Sequence, residues 1–339
     1  MADAGTRRSM DALLRASVAG DEPAARQAAL ASFDSGLDTE TVLLEVVGGV
    51  QREIGDLWAT NRLTVAQEHV ATAINERVIV ALGTAGHRPR PHLPRVTVAC
   101  VDGDWHVMAA RLLAEVLVLR GFRVDYLGGQ VPVPYLLAHL RSTGPEVVAL
   151  SGSLAPRLPA AHEAIRACRS AGAAVVIGGS AFGPGGRYAP MLGADLWAPG
   201  PREAAVELER GFPAVRRPIE DLPGPGEQEY ALVTRSHPRL VRSMRAVFET
   251  GPRGHRDRDW FLDSLAKLVD FLGAAVYVDD SRVFSDHLDW LGAFLSARGI
   301  TEGFLGPILA ALDTELREFP RALRILSQAR SAASGPRME

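Results

Sequence analysis

The stretch from Arg95 to Ala109, Arg-Val-Thr-Val-Ala-Cys-Val-Asp-Gly-Asp-Trp-His-Val-Met-Ala, decides how the middle of this 339-residue chain folds. Arg95–Val101 is apolar and β-branched, the pattern of a buried strand, and Met108–Leu119 is apolar at helical spacing without Gly or Pro. A strand that hands over to a helix in this way is half of a βα unit, and open parallel sheets bind ligands at that lip. His106 stands there, two residues after Asp104. A carboxylate at that spacing holds one ring nitrogen, fixes the tautomer and leaves the other nitrogen for a metal. An isolated Asp-x-His suits a solvated histidine near a helix start equally well, so the rest of the chain has to choose.

Working outward, the strand Val147–Ser151 runs into Gly152-Ser153, and Ala174–Ile177 runs into Gly178-Gly179. With Arg123–Leu127 and a short Leu196–Ala198 these segments make a βα-repeating parallel sheet over 95–211. Turns after successive parallel strands emerge on one edge, the edge of His106. Glycines there let backbone approach a ligand closely, and a serine hydroxyl adds a compact donor and acceptor. Together they describe a deep slot beside a metal-ligating histidine.

On either side the pattern turns helical. Residues 8–86 read as a small bundle: Asp38-Thr39-Glu40-Thr41 is a helix start, followed by Val42, Leu43, Val46, Val47, Val50 and Ile54 on one face. Gly86 to Pro94 and Gly211 to Gln228, rich in proline, are linkers. From 228 to 333 the apolar spacing is helical throughout, giving a third, all-α domain. The whole is a multidomain α and α/β protein.

Composition narrows the classes. A net charge of −3 gives no support for non-specific nucleic-acid binding. No apolar run is long enough for a membrane span, and the N-terminus lacks the apolar core of a secretory signal. The two cysteines, Cys100 and Cys168, make neither a disulfide framework nor a Cys-x-x-Cys site, and a cytoplasmic protein is expected.

Asp104, His106, the Ser151 turn and Gly178-Gly179 resemble the signature of cobalamin-binding domains, Asp-x-His-x-x-Gly, then a serine turn, then Gly-Gly. That resemblance implies a Rossmann-like or flavodoxin-like sheet and makes His106 the lower cobalt ligand. Trp105, Val107, Gly152 and Ser153 then line the cofactor with the residues of the signature. Ala109 stands where the signature has its last glycine, and the serine turn reads Ser-Gly-Ser. In the bundle, Trp58, nine intervening residues and then Glu68-His69 resemble the cap of the B12-dependent photoreceptors of the CarH type. The resemblance implies adenosylcobalamin as cofactor, with Trp58 on the adenosyl group, Glu68 at its ribose, His69 near the upper face, and Val65 in the same pocket. Two departures stand out: Ala59 replaces the histidine that follows the tryptophan in those photoreceptors, and no helix-turn-helix precedes the bundle, so direct DNA binding is not expected.

The order of cap, cobalamin domain and cysteine-free helical domain resembles the photocobilins, which also bind biliverdin. By that likeness the third domain is globin-like and holds a bilin non-covalently. His237, His255 and His287 are its candidates for the pyrroles, and Arg235, Arg239, Arg242 and Arg245 for the propionates. Haem on His287 is a competing ligand. The expected function is a light sensor, with loss of the adenosyl group changing homo-oligomer association or signalling to a separate effector enzyme. The alternatives are a corrinoid methyl carrier and a degenerate interaction module without cofactor.

Overall fold

The computed structural model of the chain describes residues 4–85, 89–211, 225–250, 258–300 and 305–334. His255, residues 86–88 of the first expected linker and most of the second lie outside the described residues.

The first segment is helical: α1 (Ala4–Val18), α2 (Glu22–Asp34), α3 (Thr39–Thr41), a π-helical stretch Val42–Val47, α4 (Gly48–Ala59) and α5 (Val65–Ala85). The starts are side-chain capped. Asp21 accepts from the Ala24 N–H at 3.0 Å, and Asp38 accepts from the Thr41 N–H at 2.9 Å. At the head of α5, Thr64 and Gln67 form a reciprocal capping box: Thr64 N–H donates to Gln67 Oε1 at 2.9 Å and Gln67 N–H donates to Thr64 Oγ1 at 3.2 Å. That box fixes where the first turn of α5, bearing Glu68 and His69, begins.

The α/β segment forms one parallel sheet of five strands, β1 (Leu93–Cys100), β2 (Phe122–Gly128), β3 (Val147–Ser151), β4 (Ala174–Gly178) and β5 (Leu196–Trp197), in the order β2-β1-β3-β4-β5. Between the strands run α6 (Val107–Leu119), α7 (Val133–Thr143) and α8 (Leu158–Ser170), and α9 (Pro201–Arg210) follows β5. The chain reverses direction across the sheet between β1 and β3, the switch point where such sheets leave a crevice. Cys100, Ser151 and Gly178 are register partners and define the carboxyl edge. One face of the sheet buries Val96, Val98, Val147, Ala149 and Val176 against Ala110, Ala114 and Leu117 of α6 and Ala205 and Leu208 of α9.

Helix α6 has a second apolar stripe. Met108 and Leu112 belong to the bundle's core, among Leu43, Val46, Val47, Ile54, Ile74 and Val78. The bundle and the α/β segment therefore share a helix, and they cluster as one compact unit. Around Glu40 an ion-pair hub adds a polar fastening: Arg120 donates to it at 2.8 and 3.1 Å, and Arg202 at 3.0 Å. Burial works to raise the Glu40 pKa, but the two guanidinium groups outweigh it and hold the carboxyl below its ordinary range.

The second compact unit comprises residues 154–159 and 219–339. Its described helices beyond the sheet domain are α10 (Pro225–Thr250), α11 (Arg258–Val278), α12 (Arg282–Ser296), α13 (Leu305–Glu315) and α14 (Pro320–Ser334). Leu265, Leu268, Leu272, Phe284, Leu291, Leu312 and Ile325 are buried in this unit.

Candidate functional site

Asp104 is 1% exposed and His106 projects from it with a side chain 58% exposed. Asp104 Oδ1 accepts from the His106 backbone N–H at 3.0 Å and lies 2.8 Å from His106 Nδ1. Asp104 Oδ2 accepts from the Ser153 N–H at 2.5 Å. Burial alone raises the pKa of this carboxyl; the bonds from the His106 ring, Ser153 and the His106 backbone outweigh it, and the net shift is downward. An ionised Asp104 is an acceptor only, so Nδ1 carries the hydrogen and Nε2 is left with an outward lone pair, the ligating form of imidazole. Cys100, beneath the site, is a buried thiol pushed up to about 12 by burial and by the Asp104 charge, so it offers no thiolate.

Beside this dyad, between α6 and the sheet, lies an apolar slot of about 100 Å³ lined by Ala109, Leu113, Ser151, Gly178, Gly179 and the 198–201 turn. Gly179 has φ +105°, and a Cβ there would stand 2.2 Å from the Gly152 carbonyl oxygen. Only glycine fits. Gly152 N–H donates to Gly178 O at 3.0 Å and Ala181 N–H donates to Gly152 O at 3.0 Å, so the two turns brace each other.

The expected residues divide by role. Ala109, Ser151, Gly178 and Gly179 line the slot. Gly152 is buried against Ala181 and Phe182 and holds the turns together. Ser153 acts through its backbone, donating to Asp104 and accepting from Ser180 Oγ at 2.6 Å. Val107 starts α6 and touches a turn that the sequence reading passed over, Gly128-Gly129-Gln130 after β2. A Cβ on Gly129 would be 2.8 Å from Val107 Cγ1, and Gln130 N–H donates to Asp104 O at 3.3 Å. Two glycines at the end of a strand pointing to the same edge were the available signal. Trp105, 72% exposed, offers an apolar face beside His106.

In the bundle, Glu68 is half-buried and His69 exposed, with His69 Nδ1 2.6 Å from Glu68 Oε2. Val65, one turn before Glu68, is exposed, and Trp58 is partly buried against the bundle core.

The residues singled out in the helical C-terminal unit have different surroundings. Arg239 pairs with Glu315 at 3.1 Å, and Arg235 and Arg242 are exposed. His237 Nε2 is 3.2 Å from Ala266 O and 3.3 Å from Asp270. His287 is buried and stacked on Phe271 with ring centres 3.7 Å apart and planes 3° from parallel, and Trp290 lies 5.8 Å from it on the same helix. Its Nε2 is buried without a hydrogen-bond partner among the described residues.

An exposed imidazole with its far nitrogen held from below, next to an apolar slot at the carboxyl edge of the sheet, suits a corrinoid ligand. Comparison agrees: residues 94–207 match the family described as B12 binding domain, and residues 10–82 match a second family of the same description. These matches support cobalamin as the ligand. Over 122 residues the chain is 37% identical to the HTH-type transcriptional repressor CarA of Myxococcus xanthus, a match covering 35% of this chain and 41% of the repressor. The chain thus spans less than half the length of that relative. Among solved structures, the monomethylamine corrinoid protein of Methanosarcina barkeri superposes with a TM-score of 0.52 at 16% identity, covering 60% of this chain and 99% of that one, a likeness of fold. Among the described residues no helix is long and apolar enough to cross a membrane.

Proposed function

We propose that this chain is a cobalamin-dependent light sensor that takes adenosylcobalamin. The observation that carries the reading is the Asp104–His106 dyad at the N-terminus of α6, whose next turns enter the core of a bundle bearing Trp58 and Glu68-His69. The donor set fits the cofactor: His106 Nε2 would hold the cobalt, the slot along Ala109, Ser151 and Gly178-Gly179 would take the nucleotide tail, and Trp105 would lie against the corrin. Bound adenosylcobalamin supplies a cobalt–carbon bond that light cleaves. In the cap, Glu68 accepts from ribose hydroxyls, Trp58 packs on the adenine and Val65 closes the pocket. When that group is lost these contacts go with it, and a switch needs such a difference in contacts between its two states.

The output is a light-dependent change of association between copies of the chain or with a separate effector, in the cytoplasm and without direct DNA binding. The helical C-terminal domain, globin-like on this reading, holds biliverdin non-covalently through its arginines and histidines. The corrinoid methyl carrier is the alternative, favoured by the two-part fold shared with the monomethylamine corrinoid protein.

The test is an absorption spectrum of the purified chain mixed in the dark with adenosylcobalamin and biliverdin, desalted, and repeated after green light, alongside size exclusion in both states. Two retained chromophores, a light-driven cobalamin change and a change of size lost in Trp58→Ala are the expected result. Retention of methylcobalamin with no preference for the adenosyl form and no photoconversion would establish the carrier instead.

A further inference from the structure

Through the middle of the bundle runs a line of hydrogen bonds that neither core packing nor helix capping requires. Ser17 Oγ on α1 donates to Asn75 Oδ1 at 2.9 Å, and Asn75 Nδ2 donates to Gln51 Oε1 on α4 at 3.0 Å. Gln51 Nε2 donates to Thr72 Oγ1 at 2.7 Å, and the Thr72 hydroxyl donates to Glu68 Oε1 at 2.8 Å. Ser17 and Asn75 are fully buried, among apolar neighbours that would tolerate leucine or alanine by volume. Every donor in the series points the same way, toward Glu68. Such a chain polarises along its length, each bond strengthening the next, and it ends on an acceptor-only carboxylate. Its terminal carboxylate is held from behind at Oε1 by the Thr72 hydroxyl, while Oε2 meets His69 Nδ1 at 2.6 Å, and the lone pairs these contacts leave over can accept from a ligand that donates.

We infer that Thr72, Gln51 and Asn75 are positioning residues for Glu68, and that this relay sets the chain's preference for a cobalamin whose upper group carries hydroxyl donors. The inference rests on the proposed role of Glu68 and adds how that role is built. The relay leaves α5 at Thr72 for Gln51 on α4, returns to α5 at Asn75 and ends at Ser17 on α1, so it also ties the orientation of Glu68 to two other helices of the bundle.

The experiment is a dark equilibrium titration of the full chain with adenosylcobalamin and with methylcobalamin, reading the dissociation constant of methylcobalamin divided by that of adenosylcobalamin. Thr72→Val reduces that ratio about tenfold, the effect of one hydrogen bond to a charged group, and Gln51→Met reduces it about threefold, the effect of a neutral one, with methylcobalamin affinity held; Thr72→Ser, which keeps the hydroxyl, restores it. Equal loss of both cobalamins would mean the relay is only scaffolding and would overturn the inference. Glu68→Gln separates the two levels of the argument. If it lowers the ratio while Thr72→Val and Gln51→Met do not, the relay is wrong and the sensor reading survives. If Glu68→Gln leaves the ratio unchanged, both fall.

Discussion

His106 presents its imidazole to solvent from a strand–helix junction, whereas His287 lies inside the aromatic layer between α11 and α12. The first has one nitrogen tied to a buried carboxylate and the other directed outward. The second is stacked face to face on Phe271, with Nε2 enclosed and without a partner among the described residues. Burial, with the nearby Lys267 charge, lowers the His287 pKa to about 4, so the ring is neutral and behaves as an aromatic. A histidine becomes a ligand through what holds its far nitrogen and what its near nitrogen faces. Chain position and residue type leave both undetermined.

The comparison breaks most directly at His106. His106→Ala should lower cobalamin retention by more than about 100-fold, beyond the usual cost of losing an outer-sphere partner, while His287→Ala leaves it unchanged; spectral titration of both variants decides. The next effect belongs to His287 and appears in pH. In the unfolded chain its imidazole protonates below about 6.5, while in the folded protein it stays neutral down to about 4. Acidification through that window therefore favours the unfolded state, by up to about 3 kcal/mol when the interval has been crossed. A fall in Tm of the C-terminal transition between pH 7 and pH 4.5, largely abolished in His287→Phe, is the expected outcome; an unchanged slope in the variant would put the acid sensitivity elsewhere.

Asp104→Asn sharpens the contrast from the other side. It keeps the shape but removes the charge that fixes the His106 tautomer, and cobalamin affinity should drop about 10- to 100-fold. Asp104 titrates below its ordinary range, so its contribution is complete above the unfolded carboxyl value and is lost as pH falls through the lower folded one. The smallest effect is expected at the fastening between the two parts of the first unit. Arg120→Met should cost no more than about 1 kcal/mol in thermal stability at low salt, with less effect at high salt, because its guanidinium is partly exposed to screening.

Much of this was legible in the residues. All five strands and the Asp38 cap follow from apolar periodicity and capping chemistry, which are local. His106 was legible because a βα junction is a local signal with a known functional edge. What stayed hidden depends on side chains distant in sequence. Ser17, Gln51, Thr72 and Asn75 come from three helices, and no periodicity marks an amide that will meet another 24 residues away. Ser153 was read for its hydroxyl, whereas its backbone N–H does the work at Asp104. The π-helical turn at Val42–Val47 was equally silent, since its β-branched, apolar residues suit an ordinary buried helix face as well.

Helix α6 carries His106 at its N-cap and, on its first two turns, Met108 and Leu112 of the bundle's core. Modular exchange is constrained accordingly. A chimera that takes the bundle from one corrinoid protein and the sheet from another inherits a mismatched seam unless positions 108 and 112 travel with the bundle. The practical unit of recombination runs from α1 through α6, across the ligand itself, and the boundary drawn by sequence composition near residue 90 cuts through the middle of it.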